Sequence, residues 1–128
     1  MQNLDQIRAA AALSAVGRQK SKITRQAVSK LPAMILSNGL LAAAAFADER
    51  KKEETPKRPE MQDAMNAVAG HLANPAHGIT ALAGQTTAKA MITALGSASS
   101  HELQRASIEG LAFLSYLKRF ATKEGESE

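Results

Sequence analysis

The sequence predicts an all-α fold, a compact bundle of about five or six helices forming a single domain over residues 1–123. Three observations carry that expectation. A chain of 128 residues is long enough to bury one real core and too short for two. Aromatic residues are only 3%, alanine dominates, and no segment alternates apolar and polar side chains for long enough to form a strand. Apolar residues recur instead at helical spacing, with Asn, Ser, Pro and Gly where helices should begin or end.

The first helix opens at Asn3, whose side chain has Gln6 three residues on as a capping-box partner, and runs to about Arg18, with Gly17 near its end. Its expected inner stripe is Leu4, Ile7, Ala11 and Ser14, flanked by Leu13 and Val16. A second helix over 19–31 would bury Ile23, Ala27 and Leu31 and turn Arg18, Lys22, Arg25 and Ser29 outward. Arg18, Lys20, Lys22, Arg25 and Lys30 form a one-sided basic stretch, because no acidic residue occurs between Asp5 and Asp48. Two readings stand: an ordinary solvated helix face, or, since such faces usually mix both signs and this one does not, a surface for a polyanion.

Residues 31–47, LPAMILSNGLLAAAAFA, form the longest apolar run, with no charged side chain. Pro32 suits a first helical turn, and Leu, Met and Ala favour a helix to Ala47. Asn38-Gly39 could form a turn dividing the run. A continuous helix is preferred, since only an unbroken helical period keeps Leu36, Leu40, Ala43 and Ala47 on one face. In that helix Gly39 and Ala42 to Ala45 would admit another backbone, and Asn38 is a candidate subunit contact. The run is shorter than the roughly 20 apolar residues of a membrane span, so no membrane partner is expected.

Residues 48–59 combine dense mixed charge with Pro56 and Pro59, the mark of a mobile loop. Pro59 and Glu60 open a helix with Met61, Met65, Val68, Ala69 and Leu72 inside, ended by Asn74-Pro75. A short piece over 79–83 and a helix from Thr86 or Thr87 to Leu95 follow, the latter burying Ala88, Met91, Ile92 and Leu95 before Gly96. Ser99 and Glu102 form a capping box for the last helix, to about Lys123. Leu103, Ala106, Gly110, Leu114, Leu117 and Ala121 line its inner side with Phe113 and Phe120, and Arg105, Glu109, Ala112, Arg119 and Lys123 its outer side. A disordered tail is expected over 124–128.

With no cysteine, thiolate nucleophiles, disulfides and Cys-based zinc sites are excluded. No phosphate loop, nucleophile elbow or Asp-rich metal loop occurs, so the chain is not expected to be an enzyme or to need a cofactor. The spacings of His71, His77 and His101 match no common ligand pattern, and surface or helix-end positions are expected for them. Glu109, a lone carboxylate among apolar residues, should pair with a basic neighbour. Without a signal-peptide pattern at Met1 to Gln6 the expected location is cytoplasmic.

A net charge of +4 agrees with a nucleic-acid partner. Tyr116 is the only tyrosine and there is no tryptophan, so contact should be to phosphates rather than by base stacking. Two alternatives are a helical adaptor that binds only proteins and a helix-turn-helix DNA-binding regulator built on 79–92. The second of these has only Lys89 as a base on its would-be recognition helix.

Gln6 with Ala9, Ala12 and Val16, the block Leu31-Pro32-Ala33-Met34-Ile35 followed by Asn38-Gly39-Leu40, and the closing pattern from Glu109 through Leu111-Ala112-Phe113-Leu114 to Leu117-Lys118-Arg119-Phe120-Ala121 together carry a resemblance. The chain resembles the small subunit of the type III-B CRISPR effector, the Cmr complex. That resemblance spans roughly half the chain; Tyr116 departs from the tryptophan often found there, and residues 72–100 match little. It implies a non-catalytic helical protein stacked in several copies, contacting further copies of itself and the large subunit beside the guide RNA and target RNA. The residues expected to meet RNA phosphates are Arg18, Lys20, Lys22, Arg25 and Lys30, with Arg119 and Lys123 as a second set.

Overall fold

A computed structural model describes residues 3–18 and 23–121, without the side chain of Arg18. It is an all-α compact domain with six helices and no named strand among those residues: α1 (Leu4–Arg18), α2 (Arg25–Asn38), α3 (Leu40–Ala47), α4 (Pro59–Leu72), α5 (Ala88–Gly96) and α6 (Ser100–Phe120). Two single 3₁₀ turns, Pro75–His77 and Thr80–Leu82, join α4 to α5.

Local chemistry sets most boundaries. Asn3 and Gln6 form both bonds of a capping box, the Gln6 N–H donating to Asn3 Oδ1 at 2.8 Å and the Asn3 N–H to Gln6 Oε1 at 2.9 Å. Thr87 and Ser99 cap α5 and α6 by accepting from the N–H groups of Ala90 and Glu102. Glu102 does not complete the second box; its carboxylate accepts instead from the Ala81 N–H at 3.3 Å and so ties the second 3₁₀ turn to α6.

The central apolar run departs from expectation. Thr24 caps α2, its hydroxyl accepting from the Ala27 N–H, so Pro32 stands inside a helix rather than in its first turn. The interior proline forgoes one backbone bond. Burial of Val28, Leu31 and Ile35 along the same helix offsets that loss.

The helix then breaks at Gly39, with φ +92° and ψ 159°, a region open essentially to glycine. Its N–H donates to Ile35 O at 2.8 Å and closes α2, and its carbonyl accepts from the Ala43 N–H and opens α3. A Cβ built on Gly39 would meet nothing within 4 Å, so this glycine serves the bend and not a close approach. The alanines are used differently: Ala43, Ala44 and Ala47 are buried where α3 lies on α4 and α5, and Ala42 and Ala45 face outward.

Long α6 is the element against which α1, α2 and α4 pack. Phe113, Leu114 and Leu117 of α6 join Val28, Leu31, Leu40, Met65, Val68, Leu72, Met91 and Leu95 in one core. Gly110 is the close approach: its Cα faces Val68 of α4, with room there for a methyl group at 3.6 Å.

The charge-rich segment after α3 has its own hydrogen bonds. The Lys51 N–H donates to Thr55 O and the Lys57 N–H to Glu49 O, around a single antiparallel bridge between Arg50 and Pro56. Arg58 closes the segment by bonding Phe46 O and Glu49 and lying 3.6 Å over the Phe46 ring.

Candidate functional site

The predicted basic residues divide between two places. Arg25, in the first turn of α2, is exposed and donates at 3.4 Å to the carbonyl of Ala121, the residue that ends α6. Lys118 and Arg119 occupy the last turn of α6 and are also exposed. Cations at a helix C-terminus are favoured by its dipole. Two stretches almost a hundred residues apart in sequence therefore meet at one end of the bundle. No carboxylate among the described residues pairs with these three side chains.

Lys30 lies elsewhere. Five residues along a helix turn a side chain by about 140° relative to Arg25, and Lys30 faces a groove with Met34, Phe46, Lys57, Arg58 and Glu60. In that groove Arg58 is bonded to Glu49 at 2.8 Å, and Lys57 stands 3.9 Å from the same carboxylate. Arg58 holds the Glu49 carboxyl below its ordinary range. Among the described residues, positive charge is thus partly neutralised by a carboxylate beside Lys30 and is paired with none at the Arg25 end. The side chain of Arg18, together with Lys20, Lys22 and Lys123, lies outside the described residues.

Asn38 is exposed at the end of α2, and nearby Leu36 has 75% of its surface open to solvent. The pair makes a polar and apolar edge next to the Gly39 bend.

The inner face of α1 differs from expectation. Leu4 and Leu13 are exposed, whereas Ala12 and Ala15 are buried, with Ala11 and Val16 partly so. What turns α1 is Glu109. This residue, expected on the outer side of α6, is only 9% exposed because α1 covers it. Arg8 grips it bidentately, Nε to Oε2 and Nη2 to Oε1, both at 2.8 Å. The expected basic partner thus comes from the opposite end of the chain.

His71 and His77, expected at the surface, complete this cluster with 4% and 5% exposure. His71 Nε2 is 2.9 Å from Glu109 Oε2 and its ring stacks on Phe113; His77 Nδ1 is 4.0 Å from the same oxygen. The two histidines are six positions apart, and the 3₁₀ turn that opens at Pro75 folds the second ring back to 4.2 Å from the first. Arg105 of α6 holds that turn by donating to His77 O at 2.6 Å.

Burial pushes the Glu109 carboxyl up, but the hydrogen bonds from Arg8 and His71 and the charge of Arg8 outweigh it and hold the group down at about 2. Glu109 is therefore ionised and can only accept. Burial pushes both imidazoles down from their ordinary value, more than the attraction of Glu109 raises them, so both are neutral. His71 Nδ1 and His77 Nε2 are buried without a hydrogen-bond partner.

The segment 79–92 provides no helix-turn-helix, since the piece ahead of α5 is a three-residue 3₁₀ turn. No helix among the described residues is long and apolar enough to cross a membrane.

A search of curated proteins and a search of solved structures gave no match. The family model described as CRISPR-associated protein (Cas_Cmr5) matches residues 4–124, nearly the whole chain and all six helices. The three stretches that carried the resemblance, in α1, at the α2–α3 bend and in α6, all lie within that match. The chain belongs to the Cas_Cmr5 family, the small subunit of the type III-B Cmr complex.

Proposed function

We propose that this protein is a non-catalytic structural subunit of the effector, stacking in copies along the guide–target RNA duplex in the cytoplasm and touching RNA phosphates through the basic end of its bundle. The observation that supports this most is the meeting of Arg25 with the last turn of α6, where Lys118 and Arg119 stand with no acidic partner among the described residues. Exposed cations at a helix end suit the sequence-independent phosphate backbone. Lys30, in a groove with its own carboxylates, is assigned a lesser part.

Contacts to further copies and to the large subunit are assigned to the edge formed by Leu36 and Asn38. An exposed leucine beside a hydrogen-bonding amide suits a mixed interface.

The test is the salt dependence of RNA binding by the assembled complex carrying Arg25→Gln, Lys118→Gln and Arg119→Gln together. Each cation removed from a phosphate flattens the log–log slope by about 0.7–0.9, so the triple variant should lose about 2–3 from it. An unchanged slope would remove this end of the bundle from the RNA surface.

A further inference from the structure

We propose that one ring nitrogen of His71, one of His77 and a carboxylate oxygen of Glu109 form a binding site for a Zn²⁺ ion, which pins the turn after α4 to the middle of α6. One such atom from each residue lies within 4.8 Å of the other two. In tetrahedral zinc, with metal–ligand bonds of about 2.0–2.1 Å, neighbouring ligand atoms stand about 3.3 Å apart. The 2.9 Å from His71 Nε2 to Glu109 Oε2 and the 4.0 Å from His77 Nδ1 to the same oxygen bracket that value. Small movements of the His77 turn would close the set.

The donor chemistry fits zinc. Two imidazoles and one carboxylate match a common three-ligand set for this ion, and with no cysteine in the chain a softer set is not available. The ring nitrogens nearest Glu109 Oε2 are His71 Nε2 and His77 Nδ1, while His71 Nδ1 and His77 Nε2, buried without a hydrogen-bond partner, stay outside the ligand set.

Arg8 does not have to leave. Its Nη2 bonds Oε1, and its Nε bonds Oε2, so a slight turn of the guanidinium frees Oε2 for the metal while Nη2 still orients the carboxylate. Outer partners of that kind are usual around metal-bound carboxylates. Entry is from the groove lined by Leu4, Arg8, Ala76, Arg105 and Ile108, where Leu4 and Ile108 are exposed and a fourth ligand, water, would be admitted.

This site is independent of the RNA surface, and its test uses the tag-free full chain. Zn²⁺ should raise the melting temperature at one equivalent, and Co²⁺ in its place should show the visible ligand-field bands of a tetrahedral site. His77→Gln, which removes a side chain whose ring makes no hydrogen bond, should melt near wild type without metal and bind Zn²⁺ at least about tenfold more weakly. His101→Gln, at the exposed start of α6, should bind as wild type does. Absence of a Zn²⁺ shift, octahedral Co²⁺ spectra, or undiminished binding by His77→Gln would overturn the proposal.

Discussion

Replacing Arg8 with Met should cost far more than a surface ion pair does, and the structure sets the size. Folding holds the Glu109 carboxyl at about 2, well below its ordinary 4.5, and each tenfold change in proton affinity corresponds to about 1.4 kcal/mol. That gives about 3.5 kcal/mol as the net by which the interactions favouring its ionised form exceed the burial that opposes it. Arg8 supplies most of this, but its side chain stays 18% exposed and water screens part of the gain. About 2–3 kcal/mol is expected for Arg8→Met, at the lower edge of the range for breaking a buried pair.

For a chain of this length that is a fall in melting temperature of about 10 °C. The assay is urea unfolding followed by helical circular dichroism, on Arg8→Met, Glu109→Gln and the double variant. Because each partner needs the other, the double variant should be more stable than the sum of the two losses predicts, with a coupling of about 2 kcal/mol. Single losses that add to within about 0.5 kcal/mol would show that Arg8 and Glu109 do not act as a pair. The Arg8–Glu109 pair would then not be what sets α1 on α6.

Four other outcomes follow from the same structure. Gly39→Ala should destabilise by about 1–3 kcal/mol, because φ +92° with ψ 159° strains any side chain even though no atom blocks the Cβ. Gly110→Ala, in mid-helix with 3.6 Å to Val68, should leave stability unchanged or raise it by up to about 1 kcal/mol; thermal unfolding of the two variants checks both. With a chelator present, stability should fall with acid in two stages of one sign. His71 and His77 face Arg8, Arg105 and Glu109, and their folded values lie below the ordinary 6.5, so their contribution is present above that value and lost as pH falls below it. Glu109 is likewise depressed, so its contribution is lost as pH falls from 4.5 toward about 2; chemical unfolding at a series of pH values reads both, and flat stability from pH 7.5 to 5.5 would contradict the first. Leu36→Glu with Asn38→Asp should leave unfolding unchanged, since both side chains are exposed, while reducing recovery of the protein with its effector, as measured by co-purification.

The amphipathic helices were legible because their cores are simple. In α4, α5 and α6 the 3.6-residue spacing of Met61, Met65, Leu72, Met91, Leu95, Leu114 and Leu117 matches the observed burial. It failed where a polar demand or a single backbone angle overrode periodicity. Leu4 and Leu13 looked like the inner face of α1, yet Ala12 and Ala15 take it, because Arg8 must reach Glu109 a hundred residues away. Asn38-Gly39 carried both a turn and a helix reading, and the glycine-only angle decides for the turn. The family was legible through its α2–α3 and α6 blocks, whereas the His71–His77–Glu109 cluster was not. Its members are separated by 6 and 32 positions, and only the turn at Pro75–His77 brings the rings together. Glu109 among apolar residues was the one signal, and it pointed to a pair rather than to a cluster.

Whether the basic end of the bundle meets RNA is decided by isolating the assembled effector from cells that carry either the wild-type chain or the variant with Arg25→Gln, Lys118→Gln and Arg119→Gln. RNA affinity would be followed from low to moderate salt. Both chains should enter the complex, guide RNA should be recovered with the wild type, and the variant complex should bind target RNA with a salt slope lower by about 2–3. Equal slopes for the two complexes, or a wild-type chain recovered without guide RNA or other effector subunits, would contradict that contact with RNA.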